Sequence, residues 1–189
     1  MKKITIIAVV VLMMFALTGS AFAANSLSQG SKGISVGMGD SVFGHAATPG
    51  GTDVTNPVVD ITGRYFVSKD VAIYGGFGLQ MNSSDYEGTY LSLTFGARKY
   101  LSTNDFAPFV GGQISYVSEN MKNQVGVKIA DITVFDVAGL LGAEYFFSKN
   151  FSVDGAIGIG LGQASNDVNN TDTTYIGTRT VGVHANFYF

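Results

Sequence analysis

Arg64-Tyr65-Phe66-Val67-Ser68-Lys69-Asp70-Val71-Ala72-Ile73 returns later in the chain as Glu144-Tyr145-Phe146-Phe147-Ser148-Lys149-Asn150-Phe151-Ser152-Val153. A looser copy is Arg98-Lys99-Tyr100-Leu101-Ser102-Thr103-Asn104-Asp105-Phe106. Each copy is an aromatic strand end, a short turn of Ser, Lys, Asn or Asp, and then a new alternating strand. Alternation with period two broken by a short polar turn is the signature of a β-hairpin. Three such hairpins spread through one chain predict strands paired in sequence order, an up-and-down meander.

Working outward from these turns, eight strands are expected, at about 33–43, 58–67, 71–81, 90–101, 106–117, 125–147, 151–163 and 175–189. Most reach the ~9–11 residues that a tilted strand needs to cross a bilayer. The segments 44–57, 82–89, 118–124 and 164–174 are polar and longer than the hairpin turns, so short turns alternate with longer loops. Outer-membrane barrels show that asymmetry, with short periplasmic turns and longer outer loops. Val125, Val127 and Ile129 keep the alternation going, so the fifth-to-sixth hairpin is expected to project past the bilayer.

The parity of each strand separates two faces. In the seventh, Phe151, Val153, Ile157, Ile159 and Leu161 oppose Ser152, Asp154, Ala156, Gly158, Gly160 and Gly162. In the second, Val59, Ile61, Tyr65 and Val67 oppose Asp60, Thr62 and Arg64. In the third, Val71, Ile73, Phe77, Leu79 and Met81 oppose Tyr74, Gly76, Gly78 and Gln80, and in the eighth Val181, Val183, Phe187 and Phe189 oppose Thr180, Gly182, His184, Asn186 and Tyr188. The second face holds charges and glycines, too few polar groups to solubilise a surface but small enough to fill a narrow interior. The apolar face is therefore assigned to lipid and the polar one to the lumen. Tyr65, Tyr145, Phe147, Phe151, Phe187 and Phe189 are expected at the periplasmic rim, with Tyr116 and Tyr175 nearer the outer rim, as an aromatic girdle.

The amino-terminal 23 residues read as a secretory leader. Lys2 and Lys3 precede an apolar run from Ile4 to Leu17, and Ala21-Phe22-Ala23 offers small residues where a signal peptidase reads, so cleavage is expected after Ala23. The run is shorter than the ~20 residues of a spanning helix. The rest, 24–189, is expected to be one barrel domain. There is no Cys, which excludes disulfides, thiolate metal sites and a lipid-modified Cys. Without Lys2 and Lys3 the chain keeps 9 basic residues against 14 acidic ones and has no basic run, which argues against nucleic acid.

With these features the chain resembles the small eight-stranded outer-membrane barrel superfamily, which includes the OmpA transmembrane domain, OmpX and the opacity-type adhesins. The leader, the repeated hairpins and the ending Asn186-Phe187-Tyr188-Phe189 carry the resemblance, which spans essentially all of 24–189. It implies that Phe187 and Phe189 form the terminal signal read by the barrel assembly machinery. It also likens the fifth-to-sixth hairpin to the protruding sheet of OmpX. No appended periplasmic domain is expected after Phe189, so peptidoglycan anchoring of the OmpA kind is not implied by the resemblance.

The sharpest constellation is Arg64, Arg98 and Glu144, each four residues before the Ser of its hairpin and each on the inward face. They are expected at one depth, joined by the inward Asp154, because buried charges need partners. The structural reading is a salt-bridged plug; the functional one is a gate whose partners exchange. His184 is expected inward and hydrogen-bonded. An enzyme acting on lipid A would need a Ser beside it, which is missing, and His45 lies in the first loop. Asp167, Asn169 and Asp172 lack the Gly and terminal Glu of a calcium loop. Gly37-Met38-Gly39 and Gly158-Ile159-Gly160 are followed by no helix, so they do not bind phosphate. No cofactor or metal is implied.

The expectation is an all-β, eight-stranded, up-and-down antiparallel transmembrane barrel with a cleavable leader, monomeric, non-enzymatic and located in the outer membrane. Its expected partners are lipid, the assembly machinery and an extracellular partner met by the outer loops. A narrow channel for small solutes and a surface adhesin are the alternatives.

Overall fold

A computed structural model describes residues 27–38, 59–83 and 87–189. The expected leader and its cleavage site, His45, and the first loop lie outside the described residues, as does the end of the first expected strand. Among the described residues every regular element is a strand: β1 (Lys32–Met38), β2 (Val59–Phe66), β3 (Val71–Ser83), β4 (Glu87–Tyr100), β5 (Phe106–Lys122), β6 (Lys128–Ser148), β7 (Phe151–Asn166) and β8 (Thr171–Tyr188). Each pairs antiparallel with its sequence neighbour, and β1 pairs with β8 to close the barrel. The seam ends in a reciprocal pair: Lys32 N donates to Phe189 O at 3.2 Å and Phe189 N to Lys32 O at 3.0 Å.

The hairpin repeat has one local cause. The Ser hydroxyl accepts a hydrogen bond from the backbone N–H two residues on: Ser68 from Asp70 (3.5 Å), Ser102 from Asn104 (3.2 Å) and Ser148 from Asn150 (3.4 Å). A side chain that takes over a backbone acceptor's role lets the chain reverse in few residues. All three turns lie at the Phe189 end of the barrel, here termed the short-turn end.

The faces sort as an inverted globule. Ile61, Ile73, Phe77, Phe95, Ile114, Leu141, Ile157 and Ile159 are exposed on the outer wall, while Asp60, Arg64, Arg98, Glu144 and Asp154 are buried inside. A continuous band of this kind far exceeds the few hundred Å² of apolar patch that a water-soluble protein tolerates. On β6 the outward row from Phe147 to Phe135 spans about 30 Å along the barrel axis at ~3.3 Å per residue and a tilt of ~40°, close to an apolar belt's height.

Three expectations are corrected. First, the polar segments are mostly strand. β5 runs to Lys122 and β6 starts at Lys128, leaving only Asn123–Val127 between them, and β7 and β8 approach to Asn166 and Thr171. Beyond a bilayer the outer face has no need of apolar side chains, so the alternation fades while the backbone ladder continues. Second, Tyr175 is not on the outward face. It pairs with the inward Gly162, and Ile176, paired with the outward Leu161, is the exposed neighbour. The cause is a bulge: Gly155 pairs with Val183 but Ala156 with Val181, so Gly182 is skipped and the parity of β8 reverses there. Val181 is the register partner of Ala156. Third, Phe151 keeps its outward parity but is buried, its ring 5.8 Å from that of Phe147 and 5.2 Å from that of Phe187. Tyr65, Tyr145, Phe147, Phe187 and Phe189 remain exposed at that rim, and Tyr116 nearer the other.

Candidate functional site

Arg64, Arg98, Glu144 and Asp154 meet in the lumen near the short-turn end. β2, β4, β6 and β7 each supply one, and the shared offset from the turn serines places the first three at one level. Arg64 bridges both acids: Nη1 donates to Glu144 Oε2 and Nη2 to Asp154 Oδ2, each at 2.9 Å. Arg98 Nη1 donates to the same Asp154 Oδ2 at 2.9 Å.

The layer is larger than these four residues. Glu144 accepts from Tyr100 Oη (2.6 Å), Tyr188 Oη (2.5 Å), Asn186 Nδ2 (3.4 Å) and Ser152 Oγ. Asp154 accepts from Asn186 Nδ2 at 3.0 Å, and Ser35 Oγ donates to Asn186 Oδ1 at 2.5 Å. The Arg98 guanidinium lies between two rings, 4.4 Å from the Phe109 centroid and 4.9 Å from Tyr74. A buried charge cluster is tolerable when each carboxylate meets donors on every side, and this one does.

Beneath it lies a second layer. Phe66, Tyr100, Phe109, Phe146 and Tyr188 are inward, buried and packed ring on ring, with centroids 5.6 Å apart for Phe66–Tyr100 and Tyr100–Phe109, 6.0 Å for Phe66–Tyr188 and 5.7 Å for Phe146–Tyr188. Leu27, held where Gly30 N donates to Phe66 O at 2.8 Å, joins the same cluster. Gly142 makes room for it, since a Cβ there would stand 2.4 Å from Phe109 Cζ. Reading the repeat only for charge passes over this aromatic floor. The signal was available: Phe66, Tyr100 and Phe146 sit two residues before the turn serines, on the same inward parity as the charges four residues before them.

Above the ionic layer, Ser35, Asp60, Thr62, Arg64, Tyr74, Thr94, Arg98, Gln113 and His184 line a cavity of about 10 Å³, room for a single water. His184 is inward, its Nδ1 3.2 Å from Asp154 Oδ1. Asp167 and Asp172 belong to the β7–β8 turn region, where Asp167 N donates to Asp131 O at 3.0 Å and Ser165 Oγ to Asp172 Oδ1 at 2.5 Å. Among the described residues no three acidic or histidine side chains are grouped to hold a metal ion.

The barrel fold is shared with solved structures. The N-terminal β-barrel domain of Pseudomonas aeruginosa OprF superposes with a TM-score of 0.52 at 16% identity, covering 85% of this chain and 98% of that one. Neisserial surface protein A superposes with a TM-score of 0.52 at 13% identity, covering 84% and 94%. The fold is thus that of the eight-stranded outer-membrane β-barrels. No protein-family model and no curated protein sequence matches the chain.

Proposed function

We propose that this chain is a non-enzymatic integral outer-membrane protein whose lumen is closed by its own side chains, exported on a leader removed after Ala23. The observation that carries the reading is the inversion of its faces: large apolar side chains line the outside while Arg64, Arg98, Glu144 and Asp154 are paired with one another within. Only a protein solvated by lipid gains from that arrangement. The short-turn end faces the periplasm and the long-strand end the environment. Phe187 and Phe189 serve as the terminal assembly signal; deleting Phe189 lowers the heat-modifiable folded fraction in the outer membrane, and unimpaired assembly removes that role.

Two stacked layers favour a plug over a channel. In planar bilayers the purified full chain gives no unitary current steps, and uniform steps in the wild type would overturn the closed lumen. Removing Glu144 alone leaves the aromatic floor in place, so Glu144→Ala stays silent as well.

A surface-interaction role is the second reading. It is favoured by the β5–β6 tip, where Val125 and Val127 are exposed well past the girdle residue Tyr116. Trimming residues 119–128 and measuring cell binding tests it: an unchanged level of binding ends the adhesin reading and leaves the closed barrel intact.

A further inference from the structure

His184 stands on β8 one inward step above Asn186, and both of its ring nitrogens face carboxylates. Nδ1 is 3.2 Å from Asp154 Oδ1 and Nε2 is 3.6 Å from Asp60 Oδ2. The two acids come from opposite sides: Asp154 from the adjacent β7, Asp60 from β2, which is separated from β8 by β1. The strand between contributes Gly37, the register partner of both His184 and Asp60. A Cβ on Gly37 would lie 2.2 Å from Asp60 Oδ1 and 2.2 Å from His184 Cδ2. The missing side chain is what lets a histidine and an aspartate meet across an intervening strand.

A neutral imidazole has one N–H and one lone pair. Whichever tautomer forms, one nitrogen would present its lone pair to a carboxylate oxygen. The imidazolium alone offers an N–H to both.

The charge inventory agrees. The ionisable groups around His184 are Asp60 and Arg64 from β2, Tyr74 from β3, Arg98 from β4, Glu144 from β6 and Asp154 from β7; β1 and the neighbouring positions of β8 add Gly37, Ser35, Asn186 and Tyr188. Arg64 and Arg98 are already engaged by Glu144 and Asp154. Among the described residues Asp60 has only the Thr62 hydroxyl, 3.2 Å from Oδ2, besides the histidine, and its buried Oδ1 has no hydrogen-bond partner among them. Among the described residues, a neutral His184 would leave the cluster with two cations against three anions in a space with room for a single water. With an imidazolium the signs balance.

We propose that His184 is a proton-binding site and the third cation of the lumen cluster, fastening Asp60 to Asp154 through a single proton whose loss unfastens them. This goes beyond the closed-lumen reading and does not rest on it, because the side chains around His184 set its charge whether or not current passes.

The chain has two histidines, so His45→Gln leaves His184 as the one imidazole signal. In ¹⁵N spectra of that folded full chain in lipid nanodiscs at pH 7.5, both ring nitrogens of His184 carry protons, while the urea-unfolded chain at the same pH shows a neutral ring. A neutral tautomer in the folded barrel overturns the proposal. Asp60→Asn turns the second carboxylate into an amide that can donate to Nε2, and the ring then reverts to the tautomer protonated on Nδ1. A spectrum that ignores Asp60→Asn overturns the two-carboxylate cause. The fastening has one sign: the contact stands only while the proton is bound, so the resistance of the barrel to heat falls as pH rises and the proton leaves. His184→Gln lacks that fall, and parallel pH profiles for it and the wild type would refute the fastening role. If His184→Gln does not assemble, the wild-type and Asp60→Asn spectra still decide.

Discussion

At the short-turn end, Phe66, Tyr100, Phe109, Phe146 and Tyr188 fill the lumen at 0 to 4 % exposure; at the long-strand end, Val125 and Ile176 stand 80 % and 77 % exposed. Both ends belong to the same strands and use the same backbone ladder. They differ in what the side chains have to do. Inside the lower barrel, eight walls converge on a space so narrow that each residue is constrained by several others. Beyond the apolar band the backbone ladder continues with only scattered side-chain bonds such as Ser165–Asp172 and Lys128–Asp131, and many side chains there face outward. The difference teaches that the packing which stabilises the barrel sits at one end, while the other end is where the surface-interaction reading proposed above would have to act.

The sharpest way to break this comparison is to remove the hub of the lower end. Glu144→Ala removes one of the two carboxylates that Arg64 bridges and leaves the Tyr100, Tyr188 and Ser152 hydroxyls without that acceptor, and is expected to cost about 3–5 kcal/mol. The urea midpoint of the gel-shift between folded and unfolded forms measures it. Phe109→Ala opens a hole in the floor and removes one ring from Arg98, at about 3 kcal/mol. Only the double variant Glu144→Ala/Phe109→Ala is expected to conduct in planar bilayers, and conduction by either single variant would show that the layers do not seal in series. Gly142→Ala tests crowding, since its Cβ would meet Phe109 Cζ at 2.4 Å and Gly155 O at 2.6 Å; overpacking of about 1–3 kcal/mol follows.

At the other end the effects shrink and one changes sign. Burial pushes the Glu119 carboxyl above the usual carboxylate range. The fold therefore favours its neutral form, and the contribution present at low pH is lost as pH rises through the raised folded value. Glu119→Gln is expected to raise the urea midpoint slightly at pH 7 and to leave it unchanged at pH 4. Val125→Ser, at the tip, is expected to stay within about 0.5 kcal/mol of the wild type. A large loss there would mean that the tip is part of the core after all.

The lower end was the legible one. Alternation is strongest where one face meets lipid and the other a packed lumen, and the turn serines mark a fixed height. Arg64, Arg98 and Glu144 could therefore be set at one level from spacing alone, and the same ruler reaches Phe66, Tyr100 and Phe146 two residues nearer the turn. The upper end was not legible for a related reason. Residues 118–122 and 164–166 are strand without an apolar face, held by ladder bonds that leave no trace in side-chain type. The bulge at Gly182 hid differently. A one-residue slip preserves alternation on either side of it, so Tyr175 and Ile176 exchange faces with no local sign. Gly37, seen alone, is a small residue in a strand; its purpose emerges only when β2 and β8 are placed on either side of it.

The seam between Lys32 and Phe189 also has a consequence in time. The other seams join strands that follow one another in sequence, so each closes over far fewer residues. This one brings together residues separated by nearly the whole chain, a closure whose entropic cost grows with loop length and which high contact order makes slow. Until the final residues of β8 arrive, two strands offer bare hydrogen-bonding edges to any passing β-strand. Assembly is therefore most hazardous at its last step, and the pairing of Lys32 with Phe189 ends that hazard.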